Sequence, residues 1–125
     1  MEKHIKIHKA LTCGKDEGVV AIADLLKKNK QRRVFVVDGD GKLMGVITTT
    51  DLVYKVLAGN KKDLKAKEIM TSSVEHVESS DALENALGVM NTTKSYVCPV
   101  TEKGKFIGVI DHHDIVRFLV SEGRK

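Results

Sequence analysis

Residues 33–57 read RVFVVDGDGKLMGVITTTDLVYKVL, and residues 96–120 read YVCPVTEKGKFIGVIDHHDIVRFLV. Laid on one another with a shift of 63 and no gap, Val34, Val37, Gly41, Lys42, Gly45, Val46, Ile47, Asp51 and Val53 fall on Val97, Val100, Gly104, Lys105, Gly108, Val109, Ile110, Asp114 and Val116. Nine identities in 25 positions mark a duplication, and a repeat constrains the fold before any single element does. Within each copy, two short β-branched runs flank a turn: residues 34–37 and 43–47 around Asp38-Gly39-Asp40-Gly41, then 97–100 and 106–110 around Glu102-Lys103-Gly104-Lys105. Runs of that kind on either side of a Gly- and Asp-rich loop signal a β-hairpin. A helical stretch follows each, over residues 50–58 and 113–121.

Upstream of each hairpin the apolar period changes to that of a helix. Val19, Ile22, Ala23 and Leu26 share one face, as do Ala82, Leu83, Ala86, Leu87 and Met90, with Ala23 meeting Ala86 in the same register. Ser80-Asp81 is placed to cap the second of these helices. A further short strand is expected before each, near residues 10–13 and 73–77. The unit is therefore β-α-β-β-α, and the chain divides into repeats over residues 1–62 and 63–125, with residues 59–63 as the connector. The fold class is mixed α/β (α+β). So small a unit cannot cover both faces of its sheet alone. The two repeats are expected to pack sheet to sheet about a pseudo-twofold axis, leaving clefts between them for a ligand.

Composition narrows the partners. Of 125 residues, 4% are aromatic and none is Trp, so the core is aliphatic. The exposed rings that single-stranded nucleic acid stacks on are scarce. A net charge of +4 favours anions such as phosphate but makes no case for nucleic acid, despite the basic stretches 27–33 and 61–67. No apolar run approaches the ~18 residues of a membrane span. Residues 1–6, MEKHIK, lack the apolar block of a secretory signal, so a cytoplasmic location is expected. Cys13 and Cys98 occupy non-equivalent places in the repeat and are expected as two separate buried thiols.

The motifs resemble those of the CBS (cystathionine-β-synthase) domain family. Ile69-Met70-Thr71 matches its Met-Thr opening, and Val97-Cys98-Pro99-Val100 its apolar-Pro-Val strand. Gly45-Val46-Ile47-Thr48-Thr49-Thr50-Asp51 matches the segment in which Gly and two apolar residues precede Ser/Thr-x-x-Asp. The second copy, Gly108-Val109-Ile110-Asp111-His112-His113-Asp114, departs from that pattern by placing Asp111 where Ser or Thr is usual. The resemblance spans essentially the whole chain. It implies a tandem pair (a Bateman-type module) without catalytic activity, regulating a separate protein target and forming homodimers. It also implies an adenosine-containing ligand, namely AMP, ADP, ATP or S-adenosylmethionine, with magnesium as a companion to phosphate and no required cofactor.

Two readings of Thr48-x-x-Asp51 stand side by side. At a strand-to-helix junction, free N–H groups and the Thr48 hydroxyl suit a phosphate, while Asp51 can accept from a ribose cis-diol. The same spacing is also a capping box that needs no ligand. The resemblance implies the first, with Thr50 and Val46 lining the pocket and Met70, Thr71, Val74, Ser95 and Tyr96 around the base. A second, weaker cleft would combine Asp111, His113 and Asp114 with Leu11, Thr12, Arg32 and Arg33. There Asp111 repels a phosphate unless a cation intervenes, which leaves an uncharged or cationic nucleoside, a metal-bridged phosphate or an empty site. Arg32 and Arg33 could hold a phosphate or belong to a solvated basic stretch. His112 and His113 beside two Asp residues diverge on a helix, and His4 and His8 share a spacing without a helix, so no metal site is expected. Gly39-Asp40-Gly41-Lys42 is a hairpin turn too short for a phosphate cradle, and no nucleophile–base set is visible. The alternative function is a ligand-free dimerisation module.

Overall fold

The β-branched runs form the two expected hairpins, each joined to an earlier strand across a helix. The computed structural model describes residues 5–123. They fall into two compact units, residues 10–74 and residues 75–123 together with 5–9.

In the first unit β1 (Thr12–Cys13) lies parallel to β2 (Arg33–Val37), which pairs antiparallel with β3 (Leu43–Thr48). β4 (Thr71–Ser72) closes the sheet on β3, with Val46 opposite Thr71. α1 (Val19–Asn29) links β1 to β2 and stops where Lys30 turns left-handed and its N–H reaches the carbonyls of Leu26 and Lys27. The period-2 side chains of β2 and the period-3.6 stripe of α1 meet, so Val34, Val36 and Ile47 pack against Val19, Ile22 and Leu26. Cys13, Ala66 and Ile69 complete this core, the last two from α3 (Ala66–Ile69).

The second unit repeats the plan. β5 (Val77–Glu78) runs parallel to β6 (Val97–Glu102), which pairs antiparallel with β7 (Lys105–Asp111). α4 (Leu83–Thr93) and α5 (His112–Gly123) flank the strands, and the core gathers Val77, Leu83, Ala86, Met90, Cys98, Val100, Ile110 and Ile115. The segment 5–9 takes the place that β4 has in the first unit. His8 exchanges both backbone hydrogen bonds with Val109, at 2.8 and 2.9 Å, and Ile5 enters the core. Cys13 and Cys98 are both buried free thiols, and burial pushes each up to about 11.

Several expectations are corrected. The repeat is not gap-free: Val34 pairs with Ile47, whereas it is Cys98 that pairs with Ile110. The copies are therefore 64 apart up to the hairpin turn and 63 apart after it, the first turn holding one extra residue. Since one residue of slip exchanges the faces of a strand, the counterpart of Val34 is Cys98, and that of Ala86 is Ile22. Both Ile22 and Ala86 are fully buried, while Ala23 is exposed. The helix after β3 is α-helical only over Thr49–Asp51 and continues as a π-helix, Leu52–Leu57; together these are α2. α4 has no side-chain cap at Ala82, and Asp81 accepts instead from the Glu78 N–H at 2.9 Å. Neither α3 nor β4 was expected as a separate element.

Candidate functional site

Where β3 passes into α2, the chain builds the reciprocal box that its spacing allows. The Thr48 Oγ1 accepts from the Asp51 N–H at 3.2 Å, and Asp51 Oδ2 accepts from the Thr48 N–H at 2.8 Å and from its hydroxyl at 3.2 Å. The other carboxylate oxygen meets Lys55 Nζ at 3.1 Å, and that ammonium also donates to the Ile69 carbonyl at 2.8 Å. Lys55 thus joins the Asp51 helix to α3, just ahead of Met70 and Thr71. The Asp51 side chain keeps 14% of its surface exposed and Lys55 keeps 45%.

Of the residues expected with Asp51, Val46, Thr48, Thr50, Met70, Thr71 and Val74 lie in its own unit. Val46 and Met70 are half-buried, and Thr50 and Thr71 are exposed. Met70 lies close against Gly45, where an added Cβ would come within 2.6 Å of the sulfur and 2.9 Å of the Thr71 carbonyl oxygen. Ser95 and Tyr96 belong to the other unit. There the Ser95 hydroxyl accepts from the Val97 N–H, and the exposed Tyr96 ring tilts against His112 with centroids 5.6 Å apart. The Tyr96 carbonyl accepts from the His112 N–H as the Arg32 carbonyl does from Thr49. Arg32 and Tyr96 are thus structural counterparts.

The second motif holds its carboxylate differently. Asp111 and Asp114 form the same reciprocal box, with bonds of 2.9 and 3.0 Å. Both oxygens of Asp114 are also met by His8 Nε2, at 2.8 and 2.9 Å, and Arg117 Nη1 stands 3.4 Å from one of them. Only 2% of the Asp114 side chain remains exposed. Burial raises its carboxyl, but the Asp111 N–H and the His8 imidazole outweigh that and hold it below its ordinary value. Of the residues expected with Asp114, His113 is exposed on α5, while Leu11, Thr12, Arg32 and Arg33 lie in the other unit, where burial lowers the Arg33 guanidinium.

No local pattern in the chain points to His8 at this site. His4, which shares its i, i+4 spacing and was not expected to pair with it, lies outside the described residues, and the partner found is 106 positions away. Val46 and Val109 are equivalent, Val46 pairs with Thr71 and Val109 with His8, so His8 occupies the Thr71 position of the second unit.

Comparison with known proteins gives a consistent picture. A family model described as CBS domain matches twice, over residues 3–58 and 66–121. Hypoxic response protein 1 of Mycobacterium tuberculosis is 26% identical over 112 residues, which cover 87% of this chain and 78% of that protein. The crystal structure of Hypoxic Response Protein I with two coordinated zinc ions superposes with a TM-score of 0.80. That match spans 91% of this chain and 94% of that one at 22% identity, a likeness of fold. The CBS domain pair of protein MJ0100, solved with 5'-methylthioadenosine and S-adenosyl-L-methionine, gives a TM-score of 0.72 at 28% identity, over 89% of this chain and 92% of that one. Among the described residues, no helix is long and apolar enough to cross a membrane.

Proposed function

The chain belongs to the CBS-domain family, and from that premise we propose that it is a sensor binding one adenosine-containing ligand at its first motif, Thr48 to Asp51. CBS-domain pairs are regulatory modules. The observation that carries the reading is the contrast between two equivalent carboxylates. Asp114 is sealed by His8, whereas Asp51 is held on its open side by a single exposed lysine that can swing away. Thr71 stands at the position of His8 in this unit.

In this reading Asp51 accepts from the ribose hydroxyls, Thr48 and Thr50 approach the phosphates, and Val46, Met70, Thr71 and Val74 line the same side. Ser95 and Tyr96 are assigned to the base by resemblance. The adenosine ligands of the MJ0100 pair support the ligand class. A ligand of this kind regulates only by binding two arrangements of the module with different affinity. The module is proposed to act as a homodimer on a separate protein target.

The test is calorimetric titration with AMP, ATP and S-adenosylmethionine, each with and without magnesium. One ligand per chain is expected. The substitution Asp51→Asn, which keeps a capping acceptor and removes the charge, should weaken binding by about 1–3 kcal/mol, the scale of a hydrogen bond to a charged group. No heat and no thermal shift with any ligand would leave the second reading, a ligand-free dimerisation module. One observation favours that alternative: the capping box and Lys55 already satisfy the Asp51 carboxylate.

A further inference from the structure

At the second motif, His8, Asp111 and Asp114 each offer one ligand atom, and these atoms lie within 4.8 Å of one another. Each is positioned by regular backbone. His8 is fixed to β7 by two hydrogen bonds, Asp111 ends β7, and Asp114 sits in the first turn of α5. We propose that these three side chains form a site for a divalent first-row cation such as Zn2+ or Mn2+, pinning the start of the chain to the second unit.

The comparison between the two repeats is the strongest argument. The equivalent positions in the first unit are Thr71, Thr48 and Asp51, which offer one carboxylate and no imidazole. Two of the three positions differ in the second unit, and both differences, Thr to His and Thr to Asp, supply metal-ligating groups within 4.8 Å of one another. Charge points the same way. Two carboxylates side by side concentrate negative charge in a half-buried setting, which a divalent ion balances. Arg117 stands off at 3.4 Å with a side chain 74% exposed.

The spacing is also suitable. Donors about 2.0–2.2 Å from an ion stand within about 4.4 Å of one another, and the three ligand atoms lie within 4.8 Å, so an ion replaces the His8–Asp114 hydrogen bond with only small side-chain shifts. Binding takes the Nε2 lone pair and leaves the ring proton on Nδ1. One imidazole with two carboxylates suits a borderline ion, and three protein ligands leave further positions to water. His112 and His113 are exposed and stand outside the cluster.

The experiment titrates chelator-treated full chain with Zn2+ against a chromophoric chelator, and follows Co2+ substitution by its visible absorption. One ion per chain is expected. His8→Ala and Asp111→Asn, the second keeping a capping acceptor, should each weaken binding at least tenfold while far-UV circular dichroism shows both folded. The double variant His112→Ala/His113→Ala should bind as the parent does. The proposal is overturned if no ion binds, if His8→Ala and Asp111→Asn bind as the parent does, or if binding is lost with His112 and His113. Because the readout is the ion alone, failure of nucleotide binding at Asp51 leaves this result unaffected, and the reverse holds too.

Discussion

Two glycines of the second hairpin have positive φ, and only one of them faces the segment that closes on it. At Gly108, with φ at +146°, an added Cβ would collide with the His8 carbonyl oxygen, a backbone atom that cannot rotate away. At Gly104, with φ at +82°, a Cβ would meet nothing within 4 Å. The two positions separate conformational strain from collision. Gly104→Ala is expected to cost about 1–2 kcal/mol, the penalty of a left-handed residue with a side chain. Gly108→Ala should cost more, about 2–4 kcal/mol, because it also expels the segment around His8. Urea denaturation of both variants checks the order, and equal midpoints would mean that the His8 bridge adds nothing to stability. The Thr48–Asp51 box was legible at this scale, since the two stand together as their spacing requires. His8 was not, because a contact across 106 residues leaves no local period or motif to read.

Among the elements, β5 is only two residues long, and its attachment to β6 relies on a side chain as well as the ladder. The Glu78 carboxylate accepts from the Thr101 hydroxyl at 2.6 Å and from the Lys103 N–H. The Thr101 bond is the main cause of its depressed pKa. A carboxyl held lower in the folded state stabilises above its unfolded value, near 4.5, and that contribution is lost as pH falls through the folded value. The denaturation midpoint of the parent should therefore fall between pH 6 and 3 more steeply than that of Glu78→Gln; parallel profiles would remove Glu78 from the account. Element type was readable where the apolar period is long, as in α1 and both hairpins. Register was harder. Val34 and Val37 match Val97 and Val100 only because β-branched residues fill both strands, and the extra turn residue leaves no mark in composition. The π-helix was hidden for a related reason, since a pattern that satisfies 3.6 residues per turn tolerates one widened turn.

At the scale of the whole molecule, both units leave apolar helix surface uncovered. Val20, Val53, Tyr54 and Leu57 are exposed in the first, and Leu87, Val116, Leu119 and Val120 in the second. In the first unit, α1 and α2 enclose a groove of about 390 Å³ lined by Val19, Val20, Ala23, Leu52, Val53, Val56 and Leu57. Patches of this kind mark association surfaces, and their recurrence in both repeats suits a second copy of the chain. Light scattering should give twice the chain mass for the parent and a single mass for Val53→Lys/Leu119→Lys; a monomeric parent would refute the dimer. The order in which the chain is made gives the His8 bridge another consequence. Residues 10–74 contain every strand of their sheet, so this unit can close while the rest is still being translated. His8 leaves the ribosome before any of them, yet its partner Asp114 follows 106 residues later. Residues 5–9 are thus among the last parts to be secured, and a product cut short before β7 would leave that segment without its partner strand.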